Sequence, residues 1–241
     1  MKNTILVPIT IASLVASWYI WQAAPEYIRQ GGPLLVLGLT LLFLALTFAI
    51  ERFIVLWRAG GRGNVSSFIA AVKGAVHSGD IAAAIASCKQ QGGSLANVIG
   101  AGLESYRRRR AAPDADNDDA LDETRRALQE ATALESPNLE QNLTALSTIA
   151  SIATLIGLLG TTIGMIRSFH AMSRAGAPDA TQLALGISEA LVNTALGLTT
   201  AIIATVLYNH FTTRVDAFNN RVEETGYEVL KLLEYREESG A

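Results

Sequence analysis

The sequence predicts an all-α integral membrane protein, and three observations carry that prediction. Half of the 241 residues are hydrophobic, mean hydropathy is +0.29 and only 17% are charged, where about a quarter is usual in soluble domains. The apolar residues are gathered into long runs, as lipid-solvated segments require. The polar stretches between the runs keep helical spacing of their apolar residues and show no strand-like alternation. The net charge of −3 makes no global case for nucleic acid. The single cysteine, Cys88, excludes an intrachain disulfide and reads as a small packed side chain. The three histidines, His77, His170 and His210, are far apart and outline no metal site.

Residues 1–24 form the first element. An apolar run from Ile5 to Trp21 follows Lys2, as in a signal peptide. Its cleavage region is bulky (Trp18, Tyr19, Trp21), so an uncleaved anchor or an extra membrane helix is an equal expectation. Residues 33–56, containing "LLVLGLTLLFLALTFAI", are long enough to cross a bilayer at about 1.5 Å per residue. They end in "ERFIVLWR", where Glu51 and Arg52 mark an interface, and Arg58 and Arg62 follow. The positive-inside rule places that end in the cytoplasm.

Residues 57–142 then form a cytoplasmic helical domain. "GDIAAAIASC" reads as a helix started by Asp80 after a glycine turn. A turn with Pro113 and acidic residues is expected near 113–119, followed by a charged helix. Arg107 to Arg110 beside that acidic run read as a solvated cytoplasmic face, not as a nucleic-acid site. Residues 143–166 and 183–208 are the next two membrane helices. The link between them carries Arg167, His170, Arg174, Pro178 and Asp179 and falls outside the membrane. Residues 209–241 are a cytoplasmic tail in which Phe211, Val215, Phe218 and Val222 recur at helical spacing. The last membrane helix is therefore expected to continue well past the bilayer.

The two last membrane segments carry the polar residues that ask for a function. In the first, Ser147, Ser151, Thr154 and Thr161 fall on one helical face. Gly157, Gly160 and Gly164 allow another helix to approach closely. Serine and threonine hydroxyls also bond back to their own helix, which needs no function. In the second, Gly186, Glu189, Asn193, Gly197 and Thr200 lie within roughly a quarter of the circumference at about 100° per residue, with Thr194 beside them. A carboxylate facing lipid costs several kcal/mol, so Glu189 is expected to face protein or water. Either it marks an ion pathway or it is held structurally by another helix.

These stretches, "ERFIVLWR", "LIGLLGTTIGMIRSF" and "GISEALVNTALGLTTAIIATVLYNHF", resemble the MotA/TolQ/ExbB proton channel family, its ExbB/TolQ branch above all. The resemblance covers about residues 31–221 and is strong in the last two membrane segments. It implies three core transmembrane helices extended into a cytoplasmic helical bundle, with the N-terminus periplasmic, in the bacterial inner membrane. It implies a homopentameric ring around a dimer of an ExbD- or TolR-like single-span protein. Proton motive force is then passed through a TonB- or TolA-like transducer to outer-membrane import or envelope maintenance. Thr161, Thr194 and Glu189 fall on the family's polar positions and, with Asn193, form the expected proton pathway. Gly157, Gly160, Gly164, Gly186 and Gly197 are the expected packing positions. The proton-carrying aspartate belongs to the partner. No cofactor is implied.

Two features depart from the family pattern. Thr154 stands where a proline usually precedes "LxGLxGT". The N-terminal run, if it spans, gives four crossings and a cytoplasmic N-terminus, as in the flagellar stator branch. A flagellar-type or gliding stator and a non-conducting membrane scaffold are the alternative readings. A solute transporter is disfavoured by the lack of internal repeats. An enzyme is disfavoured because no phosphate-binding loop or nucleophile elbow is present.

Overall fold

The computed structural model describes residues 3–112, 117–173 and 179–239. Every regular element among them is helical: α1 (Asn3–Ala23), α2 (Glu26–Arg29), α3 (Gly32–Ala59), α4 (Val65–His77), α5 (Ile81–Gln91), α6 (Gly93–Arg110), α7 (Asn117–Glu140), α8 (Leu143–Met172) and α9 (Ala180–Ser239). Among the described residues three helical stretches are long and apolar enough to cross a membrane, and they correspond to α3, to a run that includes α8, and to α9. The protein is thus a multi-pass membrane protein. The chain divides into two compact units, one of residues 1–51 and 142–211, the other of residues 52–141 and 212–241.

In the first unit, α8 begins one residue after Asn142, which adopts a left-handed φ of 65°. The Asn142 amide donates to Glu51 Oε2 at 3.2 Å. Asparagine tolerates this conformation better than most residues, so it can stand at the N-cap of α8. The α1–α2 corner is tied by Trp21, whose indole donates to the Arg29 carbonyl at 3.2 Å, and the Arg29 guanidinium lies 5.6 Å from the Trp21 ring centre. Gly38 of α3 meets α9 so closely that an added Cβ would lie 2.8 Å from Leu196 Cδ2.

The second unit is built around a buried apolar cluster. Val72 and Val76 from α4, Ile85 from α5, Ile99 and Leu103 from α6, and Val229 and Leu233 from α9 are among its large buried members. Truncating one such leucine to alanine costs about 2–5 kcal/mol. Local chemistry sets the helix starts. Asn64 caps α4 by accepting from Ser66 N at 2.8 Å, and Asp80 caps α5 by accepting from Ala83 N at 2.8 Å, each satisfying an otherwise orphan N–H. Gly61 has φ 76°, and a Cβ there would lie 2.2 Å from the Gly92 carbonyl oxygen, so the α3–α4 and α5–α6 turns interlock only because both are glycine-built.

Several expectations change in detail. Arg52, read as an interfacial residue, is fully buried and donates to the carbonyls of Asn138 and Leu139 at 3.2 and 3.0 Å. It therefore caps orphan acceptors at the end of α7. Residues 117–119, expected in a turn, form the first turn of α7, where Asp118 and Asp119 favour the positive end of the helix dipole. Residues 113–116 of that turn lie outside the described residues. In the arginine run, Arg109 pairs with Asp119 at 2.7 Å and Arg110 with Glu237 at 3.2 Å. Glu237 also accepts from the buried Tyr106 hydroxyl. By contrast, α9 continues past Tyr208, as the apolar recurrence in residues 209–241 leads one to expect. It runs unbroken for 60 residues, about 90 Å at 1.5 Å per residue, against a hydrocarbon core of about 30 Å.

Candidate functional site: the polar seam of α8 and α9

The glycines of α8 set the site. A Cβ on Gly157 would sit 3.2 Å from Gly197 Cα, one on Gly160 would sit 2.3 Å from Asn193 Cβ, and one on Gly164 would sit 2.6 Å from the Gly186 carbonyl oxygen. Three successive glycines thus receive one face of α9 at backbone contact. The five expected packing glycines all lie in this seam. Dispersion over so close an approach, not water exclusion, is what holds helices together in lipid.

The α9 sector read from the sequence is the sector buried here. Gly186, Glu189, Asn193, Gly197 and Thr200 are all buried, Glu189 with 6% and Asn193 with 4% of its surface exposed. α8 and the start of α3 cover it. Asn193 donates from Nδ2 to the Gly31 carbonyl at 2.9 Å, and Ser188 donates to Gln30 Oε1 at 2.8 Å. Asn193 Oδ1 and Thr200 Oγ1 have no hydrogen-bond partner among the described residues.

Glu189 finds a charge partner that the sequence reading did not assign. Arg167 Nη1 donates to Glu189 Oε1 at 2.5 Å and also to Oε2. Arg167 and His170, placed by the sequence reading in the link after residue 166, are helical here and belong to α8, which continues to Met172. The extension holds because Ser168 is fully buried and donates to the Leu183 carbonyl at 3.1 Å. Arg174 and Pro178 lie outside the described residues. The signal available in the sequence was a lone carboxylate and a lone guanidinium at facing ends of consecutive membrane segments. The ion pair forms one wall of a cavity of about 580 Å³, with Gln30, His170, Asp179 and Gln182 among its other lining residues.

The hydroxyl row of α8 lies on a different side. Ser151 and Thr154 are exposed, and Ser147 and Thr161 are partly exposed. Each hydroxyl for which a bond is found returns to its own helix: Ser151 to the Ser147 carbonyl at 3.3 Å, Thr154 to Ala150 at 3.2 Å and Thr161 to Leu158 at 2.6 Å. Thr194 stands at the border. Its hydroxyl lies 3.2 Å from the Gly157 carbonyl and 3.0 Å from that of Ala190. The four expected pathway residues therefore divide: Glu189 and Asn193 are enclosed in the seam, Thr194 edges it, and Thr161 lies on the open face. An open hydroxyl can exchange its weak backbone bond for another donor or acceptor, whereas an enclosed carboxylate locked to arginine cannot. Among the described residues no group of three His, Cys, Asp or Glu is placed to hold a metal.

A family model for the MotA/TolQ/ExbB proton channel family matches residues 92–224, more than half of the chain. A Tol-Pal system protein TolQ of Pseudomonas aeruginosa is 34% identical over 124 residues, covering 52% of this chain and 54% of that protein. A biopolymer transport protein ExbB of Pseudomonas putida is 35% identical over 106 residues, covering 44% and 32%. A biopolymer transport protein ExbB homolog of Methanothermobacter thermautotrophicus is 28% identical over 214 residues, covering 86% and 71%. The chain spans about half of the length of the TolQ relatives it matches.

Proposed function

The chain belongs to the MotA/TolQ/ExbB proton channel family, and on that premise we propose that it is the proton-channel subunit of an inner-membrane complex that turns proton motive force into work on the cell envelope. The observation that carries this reading is the division of α8 into two faces. One is a glycine face closed by α9, and the other is an open face lined with Ser151, Thr154 and Thr161 hydroxyls.

In this reading several copies, five by the resemblance, form a ring and turn the α8 hydroxyl row inward. Thr194 borders the same lumen. The occupant is a dimer of an ExbD- or TolR-like single-span protein that brings the titrating carboxylate. The exposed Leu191, Ile202 and Val206 of α9 and Leu155 and Ile166 of α8 meet lipid or neighbouring copies. The region after α3 and the tail of α9 are cytoplasmic, because Arg58, Arg62 and the arginines of α6 lie there. Each proton crossing 100 mV supplies about 2.3 kcal/mol, which bounds the work per step. A TonB- or TolA-like transducer delivers that work to outer-membrane import or envelope maintenance. The test is co-purification with the co-encoded single-span protein, followed by native mass and proton flux in liposomes. A ring that retains the partner and conducts supports the reading. A stable complex that conducts no protons at any imposed potential favours a scaffold.

A further inference from the structure

Glu189 combines two properties that pull its role in opposite directions. It is a carboxylate in a membrane helix, a placement that ordinarily marks an ion pathway. Yet it is almost wholly enclosed, and one guanidinium nitrogen of Arg167 contacts both of its oxygens. Resting on the proton-channel reading above, we propose that Arg167 is a positioning residue. It holds Glu189 as a fixed ion pair that fastens α8, α9 and the start of α3, and Glu189 carries no protons.

The surroundings of the pair argue for a fastening. Gly32, at the first position of α3, has φ 63°, and a Cβ there would lie 3.1 Å from Glu189 Oε1 and 3.9 Å from Arg167 Nη1. The backbone of α3 is thus pressed onto the pair, at a place where only glycine fits. Bonds made by the flanking residues tie α9 to α8 and to the turn that leads into α3. Ser168, next to Arg167, donates to the Leu183 carbonyl, Ser188, next to Glu189, donates to Gln30, and Asn193, one turn on, donates to the Gly31 carbonyl. A proton carrier must also hand its proton onward. Along α9 the next polar groups of the sector are Asn193 and Thr200, and between them Gly157 and Gly197 are in backbone contact. That contact leaves no room for a water between the helices. The Arg167 side chain is 56% exposed while that of Glu189 is 8% exposed, so the carboxylate is the enclosed member of the pair and, among the described residues, the guanidinium is its only charged contact across the seam.

An ion pair that only fastens has a signature. Removing one member strands a charge, whereas replacing both by neutral groups of similar size removes the problem. A proton carrier has the opposite signature, because no change at Arg167 can restore a lost carboxyl. The experiment compares wild type, Arg167→Gln, Glu189→Gln and the double variant, each purified with the co-encoded single-span partner. Thermal midpoint of the complex and proton flux in liposomes are both read. Each single variant is expected to lower the midpoint and the flux. The double is expected to regain both, with flux within about twofold of wild type, a non-additivity typical of residues in direct contact. A double variant that assembles and melts like wild type but conducts no better than Glu189→Gln overturns the proposal. So does a double variant that fails to assemble. If wild type itself conducts nothing, the channel reading fails, and the melting cycle still decides the pair: additive losses in the two singles would then refute it.

Discussion

Thr161 is the residue on which conduction is expected to depend most simply. Its hydroxyl is partly exposed on the open side of α8 and spends its bond on the Leu158 carbonyl of its own helix. Thr161→Val keeps the shape and removes the hydroxyl. It should lower proton flux about tenfold, equivalent to about 1.4 kcal/mol in the barrier, with assembly unchanged. A variant that conducts at the wild-type rate removes Thr161 from the path. Tyr106 offers a second test at this scale. Burial and its bond to Glu237 push its pKa up to about 12, and burial pushes the Cys88 thiol up to about 11. Folding therefore retains both protons more tightly than the unfolded chain does. That stabilisation is complete below the unfolded values, near pH 9 to 10, and is lost as pH rises toward 12. Tyr106→Phe should flatten the upper part of this alkaline loss, followed by helix content against pH. An unchanged profile would mean that Tyr106 ionisation is not linked to folding. Among the site residues, Glu189, Asn193 and their common sector were legible because a 3.6-residue period is a property of sequence. Their burial against α8 and α3 was not, since periodicity says which residues share a face and nothing about what covers it. Arg167 escaped for the same reason, being 22 residues away from the carboxylate it contacts.

At the scale of elements, the α8–α9 seam depends on the absence of side chains. A Cβ at Gly160 would lie 2.3 Å from Asn193 Cβ, which is part of a packed helix with nowhere to move. Gly160→Val should therefore spread α8 from α9 and cost about 1–3 kcal/mol or more, read as a lower thermal midpoint of the purified complex and loss of partner binding. Retained midpoint and binding would mean that the helices are not in contact there. The membrane helices themselves were legible from apolar length. The end of α8 was less so, because it continues in polar sequence, whereas the apolar recurrence after Asn209 announced the extension of α9. Ser168 and the Arg167–Glu189 pair prolong α8, and along the extension of α9 Val222, Val229 and Leu233 join the buried cluster of the second unit. The helix starts at Asp80 and Asn64 are written in local capping chemistry. The Arg52 cap on α7 joins residues 86 and 87 positions apart, which no local pattern reveals.

For the whole molecule, the claims are topology, assembly and conduction. Cys88 is a poor topological probe, because it is buried and its thiol is pushed up to about 11, which leaves little thiolate to react. A cysteine at the exposed Gln90 in a Cys88→Ala background is the better probe. It should resist impermeant maleimide in intact cells and react after the inner membrane is opened. Reaction in intact cells would reverse the orientation. The most direct test of the central claim is proton flux through liposomes carrying the chain with and without an ExbD- or TolR-like single-span protein, under an imposed potential. The account predicts flux above empty liposomes when both proteins are present, little from the chain alone, and about a tenfold reduction with Thr161→Val. An assembled complex whose flux equals that of empty liposomes would contradict it.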